Sequence, residues 1–558
     1  MTETPVKESL TRKRQRTDSF YPRRRSIMAC NVCRARKSRC DNVRPSCGFC
    51  VSSGADCVYE DSRSDFSNYD SATLHILNRL DNLESRMEEG FNHSECVDLN
   101  RSLAIIHEIE LESSPLSASS EGPGEAQTDS DLRTEGDSLV DPEVIGSAIE
   151  SFLQNVHSKN PILEPQSLKD AARECAKNGF SHNVQSALVA TACALGLVSS
   201  PYRASRMAAS DGGRAMFLTP ELRTLAQSYI TRGREILISQ LPSLSTIQCL
   251  FFSGVYEMFC LRPVPAWLHF SQASLQLKLQ IHRRSFSPEG FRDADGRLVQ
   301  RLYWSCMQSE CELANELRVA STGLENLPFP YAFPRPPVVT PNSSENLDVD
   351  PNDLHSWMYY LSETSLRRIG NEIIWSFYSQ HPSQWVRNIS SMQIQVDQLN
   401  QKLGAWINNL PSDLRVTGSI FDSTNELGLH VRSRYLMCQT WLLLPFLYFM
   451  IHGPQSLLLQ HRKDVEPLAH ECLQSSIKSI EDATYHHRHH GLWYTLRITF
   501  SGAVCLLAAA QVNSIPMPYG WEDAVQTAMR TLKRWSSDSK NLQASLEILL
   551  RLWEATQE

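Results

Sequence analysis

Six of the sixteen cysteines in this 558-residue chain fall within 28 residues, spaced Cys30-x2-Cys33-x6-Cys40-x6-Cys47-x2-Cys50-x6-Cys57. The half-unit Cys-x2-Cys-x6-Cys is therefore written twice. Repeated thiols at short spacing are the donor set of a closed, structural zinc site, with sulfur about 2.3 Å from the metal. Six thiolates cannot give two zinc ions four separate ligands each. They suffice for two tetrahedra if two of the six bridge, so the expected cofactor is Zn2+, two ions per chain. A module this small has no real apolar core, and metal binding would then supply most of its folding free energy. Disulfides are the competing use of such cysteines. The opening residues, MTETPVKESLTRKRQR, hold no apolar run of the kind a secretory signal needs. An intracellular, reducing setting and metal ligation are therefore expected.

The residues between the ligands carry a second chemistry. Arg34, Arg36, Lys37 and Arg39 fill four of the six positions between Cys33 and Cys40, directly after a Cys-x2-Cys turn that should start a short helix. Arg44 follows, Arg23, Arg24 and Arg25 precede, and Asp41 is the sole acid between residues 23 and 44. Cations at this density repel one another unless a polyanion neutralises them. A phosphate backbone does so with release of counterions, and Arg or Lys also donates to guanine O6 and N7 in the major groove. Double-stranded DNA is the expected partner, with Arg24, Arg25, Arg34, Arg36, Lys37, Arg39 and Arg44 as its contacts. The bland alternative is a solvated basic surface on an ordinary zinc site. The charge balance argues for the polyanion: residues 1–60 carry a net +7, the remainder −15, within a total of −8.

Around this module the chain changes character several times. Residues 1–29 are polar and basic and are expected to be disordered. Their clusters Arg12-Lys13-Arg14-Gln15-Arg16 and Arg23-Arg24-Arg25 suit nuclear import. Residues 30–60 form the cysteine module and 61–72 a linker. Within 73–92, Ile76, Leu80, Leu83 and Met87 recur at spacings of 4, 3 and 4, the seam of a short coiled-coil dimerisation element. Only about two heptads are present, and a short amphipathic helix folded onto its own chain is the alternative. Residues 93–140 read as a largely disordered acidic linker, because 112–140 nearly lacks the large apolar side chains that offset chain entropy. The acidic stretch 108–143 serves either as an activation surface or as a plain spacer.

From Asp141 to residue 558 the pattern is helical, opening on Asp141-Pro142 with proline in the first turn. Apolar residues recur at three and four in 145–156, 184–198, 244–259, 267–281, 299–317, 394–407 and 427–451, and again near 468–480, 492–512 and 542–553. An all-α domain over 141–558 is the expected architecture. The apolar run Tyr435–Ile451 is interrupted by Gln439 and Pro445 and reads as a buried core helix, so no membrane partner is expected. Trp267, Trp304 and Trp406 read as core. Glu310, Glu312, Glu316 and Arg318 read as surface pairs, and His486-His487-Arg488-His489-His490 as an exposed turn. No G-x-S-x-G, Walker loop, G-x-G-x-x-G or H-E-x-x-H is present, so the chain is not read as an enzyme.

The stretch ACNVCRARKSRCDNVRPSCGFCVSSGADCVY resembles the fungal Zn2Cys6 binuclear-cluster transcription factors along its whole length. That resemblance implies that Cys30 and Cys47 bridge the two zincs, with Cys33 and Cys40 completing one site and Cys50 and Cys57 the other. It also implies that Lys37 is the main base-reading lysine, Arg36 its companion, and Pro45 the loop proline of a module that reads a CGG triplet. FLQNVHSKNPIL (152–163), residues 247–277, LYWSCMQSECELANEL (302–317) and LPFPYAFPRPP (327–337) resemble the family's middle homology region. RYLMCQTWLLLPFLY (434–448) resembles a helix that commonly carries Arg-Pro, where this chain has Leu444-Pro445. The family assigns such a region to regulation, by a small-molecule effector or by masking an activator surface.

The expected fold class is mostly α: a small Zn2Cys6 cluster domain, a short coiled coil, a disordered acidic linker and a large all-α regulatory domain. The expected function is a nuclear, DNA-binding regulator of RNA polymerase II genes that reads CGG-type half-sites as a homodimer and engages the transcription machinery. One module reads about three base pairs, and pairing two doubles the readout. Linker residues 58–72 would help to set half-site spacing. A secondary-metabolite cluster or a nutrient-use pathway is the family-level expectation for its targets. The competing readings are a zinc-storage or redox thiol protein, and a helical ligand receptor with a vestigial finger.

Overall fold

The computed structural model describes residues 30–36, 38, 40–41, 46–57, 139–202, 218–285, 291, 293–327, 351–416, 425–484, 487–512 and 515–557. By its backbone contacts the chain divides into two units, 1–95 and 96–558. Helices are the regular structure of both, and no strand occurs among the described residues. The heptad positions Ile76, Leu80, Leu83 and Met87, the basic tail 1–29 and the linker 61–72 lie outside the described residues.

In the first unit two short helices, α1 (Asn31–Ala35) and α2 (Gly48–Ser53), pack on sulfur. Among its described residues the buried ones are Cys30, Cys33, Cys40, Cys47 and Cys50, with the apolar Val32 and Phe49, Ala55 and Cys57 half-buried beside them.

The second unit is built on two central helices. The first is α5 (Val184–Val198), whose small apolar residues are buried nearly all round. Against it lie α3 (Pro142–Asn155), α4 (Pro165–Asn178), α6 (Pro220–Ile238) and α7 (Leu244–Phe259). A Cβ on Gly196 of α5 would stand 1.9 Å from the carbonyl oxygen of Ala148, so glycine is what lets α3 approach this closely. Asp141 caps α3 by accepting from Glu143 N–H at 2.9 Å, with Pro142 in the first turn. Leu139, assigned from sequence to the linker, is buried, and its carbonyl accepts from Tyr229 Oη at 2.8 Å.

Helices α8 (Pro263–Ser285) and α9 (Ala294–Glu316) continue the stack from α7. They lead to α10 (Pro351–Ile373), α11 (Pro382–Arg387) and α12 (Ile389–Asn408). These last three pack on the second central helix, α13 (Glu426–His452), as do α14 (Gln455–Asp482) and α15 (Leu492–Gln511). Helices α16 (Trp521–Trp535) and α17 (Lys540–Gln557) close the unit against α15. The expected stretches 184–198 and 244–259 match α5 and α7 end for end. Helices α4, α6, α10 and α16 were not anticipated.

Both α13 and α15 are long and apolar enough to cross a membrane, yet 61% and 78% of their apolar windows are buried inside the unit. Tyr435–Ile451 is thus part of a core helix, as expected. Pro445 sits inside α13 and cannot donate to the carbonyl of Trp441. Tyr378 Oη donates to that carbonyl at 2.8 Å instead, sparing the roughly 1–3 kcal/mol that an orphaned buried acceptor costs.

Glu310 and Glu312 are not surface residues but are 0% and 3% exposed. The histidine-rich segment is not an exposed turn: His487, Arg488 and His489 are all buried. Arg488 anchors it by donating to the Phe259 carbonyl at 2.7 Å, pairing with Asp538 and lying over the Trp535 ring. An arginine with such an acceptor, an acid and an aromatic face can be buried, and the histidines beside it are carried inside with it.

Burial has a consequence for pH. It pushes His157 and His269 down to about 4, pushes His430 down, and holds His489 and His490 well below the ordinary histidine value. The unfolded chain takes up these protons first, so stability is lost as pH falls below about 6.5, by about 1.4 kcal/mol per pH unit for each histidine. Glu363, which burial pushes up to about 7, opposes this with a single proton. All eleven tryptophans lie beyond Asp141, so their fluorescence reports the helical unit alone. Its denaturation midpoint is expected to drop clearly between pH 7.5 and 5.5; a flat profile would show that these histidines are protonated in the fold.

Candidate metal centre

The two halves of the cysteine repeat fold alike. In the first, Cys33 N–H points at Cys30 Sγ at 3.5 Å as α1 begins. In the second, Cys47 is the N-cap of α2 and its sulfur accepts from Cys50 N–H at 3.4 Å. A Cys-x2-Cys turn therefore uses its first sulfur as the helix cap, which fixes that sulfur's direction. Gly54, at φ 59°, then ends α2 in a left-handed turn.

These turns bring the sulfurs together. Cys30 Sγ lies 3.7 Å from Cys47 Sγ and 3.6 Å from Cys50 Sγ, and Cys33 Sγ lies 3.6 Å from Cys47 Sγ. Cys40 joins Cys47 and the Asp41 carboxylate in a second close group, and Cys57 Sγ accepts from Cys47 N–H at 3.3 Å. The edge of a tetrahedron with sulfur 2.3 Å from its centre is about 3.8 Å, so these separations suit thiolates around zinc. The donor set is equally suited, being soft, buried and all sulfur. The backbone N–H of Cys33 pulls the Cys30 thiol down, and that of Cys50 pulls Cys47 down. Burial pushes Cys33 up to about 12 and Cys50 up as well. Two thiolate-prone sulfurs thus stand between less acidic ones, each close to a cysteine of both halves.

Asp41 was noticed in the sequence only as the odd acid among cations. Both its carboxylate oxygens accept from Gly48 N–H, at 3.1 and 3.0 Å, so it ties the end of the first half to the start of α2. A Cβ on Gly48 would stand 2.6 Å from Asp41 Oδ2. An acid followed seven residues later by glycine at a helix start was the available signal.

Of the expected DNA contacts, Arg36 is exposed in the turn after α1, held by its N–H on the Val32 carbonyl at 3.0 Å. Arg34 lies within α1. Lys37, Arg39, Arg44, Arg24, Arg25 and the loop Pro45 lie outside the described residues.

The helical unit holds a second constellation, which the sequence reading missed. Glu426, at the start of α13, accepts from Lys159 Nζ at 2.8 Å, His487 Nε2 at 3.1 Å and His430 Nε2 at 3.3 Å. Burial works to raise this carboxyl, but Lys159 and the two histidines override it and hold it well below the usual range. Two turns of α13 further, Arg434 pairs with Glu312, stands 3.8 Å from Glu363 and lies 4.7 Å over the Tyr494 ring. Arg497 pairs with Glu316 at 3.2 Å. Arg432 and Arg434 within the apolar-periodic stretch 427–451 were the legible signal, since a cation among core positions needs a buried partner.

Comparison with known proteins bears on both units. The fungal Zn(2)-Cys(6) binuclear cluster domain matches residues 28–65. The fungal specific transcription factor domain matches residues 149–408. Transcription factor FBD3 of Gibberella moniliformis is 49% identical over 67 residues, 12% of this chain and 8% of that protein. The sorbicillinoid biosynthetic cluster transcription factor sor4 of Hypocrea jecorina is 45% identical over 60 residues, 11% and 9% of the two chains. Beyond the cluster, the Zn(2)-C6 fungal-type transcription factor FTF1c of Fusarium oxysporum f. sp. lycopersici is 23% identical over 336 residues, 52% of this chain and 34% of that one. The aligned stretches thus span only a minor part of these relatives.

The Asp41–Gly48 clasp yields a direct test. Asp41→Ala removes a helix cap, which costs about 0.5–2 kcal/mol, and Gly48→Ala forces the clasp apart. Both variants keep all six cysteines and are expected to lose zinc faster to a chelator, read with a metallochromic dye. Unchanged release rates in both would show that the clasp bears no part of the cluster's stability.

Proposed function

We propose that this chain, which belongs to the fungal Zn(2)-Cys(6) binuclear-cluster transcription factors, reads CGG-type half-sites in promoter DNA through a two-zinc cluster. The observation that carries the reading is the cluster itself. Two sulfurs, Cys30 and Cys47, lie 3.7 Å apart, and each lies 3.6 Å from a cysteine of the other half. In this reading Cys30 and Cys47 bridge, Cys33 and Cys40 complete one site, and Cys50 and Cys57 the other. Zinc would supply charge compensation for the thiolates and fix the two helices. It would carry out no reaction.

Lys37, with Arg36 beside it, donates to guanine edges in the major groove. Arg24, Arg25, Arg34, Arg39 and Arg44 hold phosphates, and Pro45 shapes the loop between the halves. Phosphate contacts position the module and base contacts specify its site. Two chains pair through Ile76, Leu80, Leu83 and Met87, doubling the sequence read. The chain then acts in the nucleus on RNA polymerase II genes and engages the transcription machinery. The helical unit adjusts that output in response to a small-molecule effector, through its buried charged network. Relatives named for biosynthetic clusters, such as sor4, favour a secondary-metabolite cluster as the regulated target. A zinc-storage or redox role is disfavoured by the four cations between Cys33 and Cys40, which metal storage does not need.

Selection of bound sequences from a random DNA pool by the full chain, with zinc and again with chelator, tests the reading. Paired CGG-like triplets lost on chelation are the expected outcome. A single triplet would retire the homodimer, and no enrichment would retire DNA reading. Lys37→Ala should relax base preference. Arg25→Ala should weaken all sequences alike and flatten the salt slope by about one unit. Uniform weakening in both would deny Lys37 its role. Cys47→Ala removes a ligand from both metals and should abolish DNA binding and zinc retention together; a variant that still holds two zincs would overturn the bridging assignment.

A further inference from the structure

Three small cavities, of about 30, 20 and 10 Å³, each have Arg434 in their wall. The smallest is also lined by Glu363 and Arg367, one turn apart on α10. A Glu–Arg pair at that spacing normally closes on itself. This one is held open. Glu363 Oε2 accepts from Gln308 Nε2 at 3.1 Å, and Arg367 Nη1 faces Glu312 Oε1 at 3.7 Å.

What remains is an acceptor and a two-pronged donor. Glu363 Oε1 and Arg367 Nε and Nη2 are buried with no hydrogen-bond partner among the described residues, on residues 6% and 5% exposed. Nε–H and Nη2–H lie on one edge of the guanidinium and point in parallel, the geometry that receives a carboxylate in two hydrogen bonds. Buried groups of this kind are costly to leave unmade, and native proteins rarely do so. The Trp441 ring lies 5.8 Å from the same guanidinium and limits its movement.

We propose that the space around Arg434 and Arg367 takes a small carboxylate bearing a hydrogen-bond donor, of the hydroxy- or amino-carboxylate class. The carboxylate meets the Nε/Nη2 edge of Arg367, and the donor meets Glu363 Oε1. Arg434 stands as a shared wall of the three cavities, so a ligand seated here displaces that side chain, and the small volumes limit it to a few non-hydrogen atoms. This inference gives a site and a ligand class to the effector-responsive reading of the helical unit, and it rests on that reading for its biological role.

The test uses the full chain, with tryptophan fluorescence and the thermal midpoint as readouts. Acetate, glycolate, glycine and glycinamide are added at matched ionic strength. Glycolate or glycine is expected to raise the midpoint saturably and more than acetate, while glycinamide, which has no carboxylate, does not. Arg367→Lys, which loses the paired edge, should weaken binding by about tenfold or more. Glu363→Gln, which keeps the shape, should change the preference between glycine and glycolate. No saturable shift with any carboxylate, an equal shift with glycinamide, or wild-type behaviour in both variants would overturn the site. Should Arg367→Lys fail to fold, the Glu363→Gln preference decides alone. A reporter gene driven by the selected DNA sites separates the two ideas. Binding without any change in reporter output keeps the site and retires the effector role, whereas output that responds to an effector equally in both variants retires the site and keeps the role.

Discussion

Zinc–thiolate closure is the interaction on which the cysteine module depends. Among its described residues the module has five buried cysteines and no fully buried aliphatic or aromatic side chain. Hydrophobic burial at about 25 cal/mol per Å² cannot offset the chain entropy of so small a unit. The sulfurs gathered within hydrogen-bond range of one another need a cation among them once they ionise. The backbone prepares this by aiming Cys33 N–H and Cys50 N–H at the first sulfur of each half. Asp41 then fastens the halves together, and in doing so directs the only acid of the basic stretch at a helix N-terminus.

The helical unit meets the opposite problem. It has ample apolar core and must accommodate charge within it. Lys159, Arg367, Arg488, Glu257, Glu310, Glu312 and Glu363 are all buried. A buried ion pair gains little over an apolar packing of equal volume, while losing one partner costs several kcal/mol. Such a network therefore adds specificity of arrangement rather than net stability. It is drawn from distant parts of the chain: Glu426 joins Lys159 to the 487–490 segment, and Arg434 joins α13 to α9 and α10. A change at one member is felt in elements far apart in sequence.

How much of this was legible depended on whether the signal was local. The cysteine spacing specified the metal centre, because ligand distance along the chain and ligand chemistry both lie in one short string. Helices α5 and α7 were legible end to end because each is apolar and bounded by Asn183 or Ser243 as N-cap. Helices α4 and α16 carry the three-and-four spacing too, but partly on small alanines set among charged and polar residues, and were overlooked. The charged interior was misread for a different reason. Glu310, Glu312 and the histidine string look solvated by type, and partners elsewhere in the chain make their burial tolerable: Thr322 for Glu310, Arg434 for Glu312 and the Phe259 carbonyl for Arg488. Pro445 shows the same limit: it looks like an interruption until Tyr378 supplies the donor that the helix lacks.

The two units thus owe their stability to different chemistry, and that bears on how one could regulate the other's output. A metal-closed cluster folds or fails with its thiolates, and nothing in its small apolar set offers a graded response. A helical unit with partly unsatisfied polar groups around Arg434 is suited to a graded one, since a ligand that satisfies Glu363 Oε1 and the Arg367 edge stabilises whichever arrangement presents them. Such a ligand shifts populations only by its differential affinity for two arrangements. Regulation by this route needs no distortion of the cluster. In the proposed reading it acts on chain pairing or on an activating surface, and leaves the cysteine module to its thiolates.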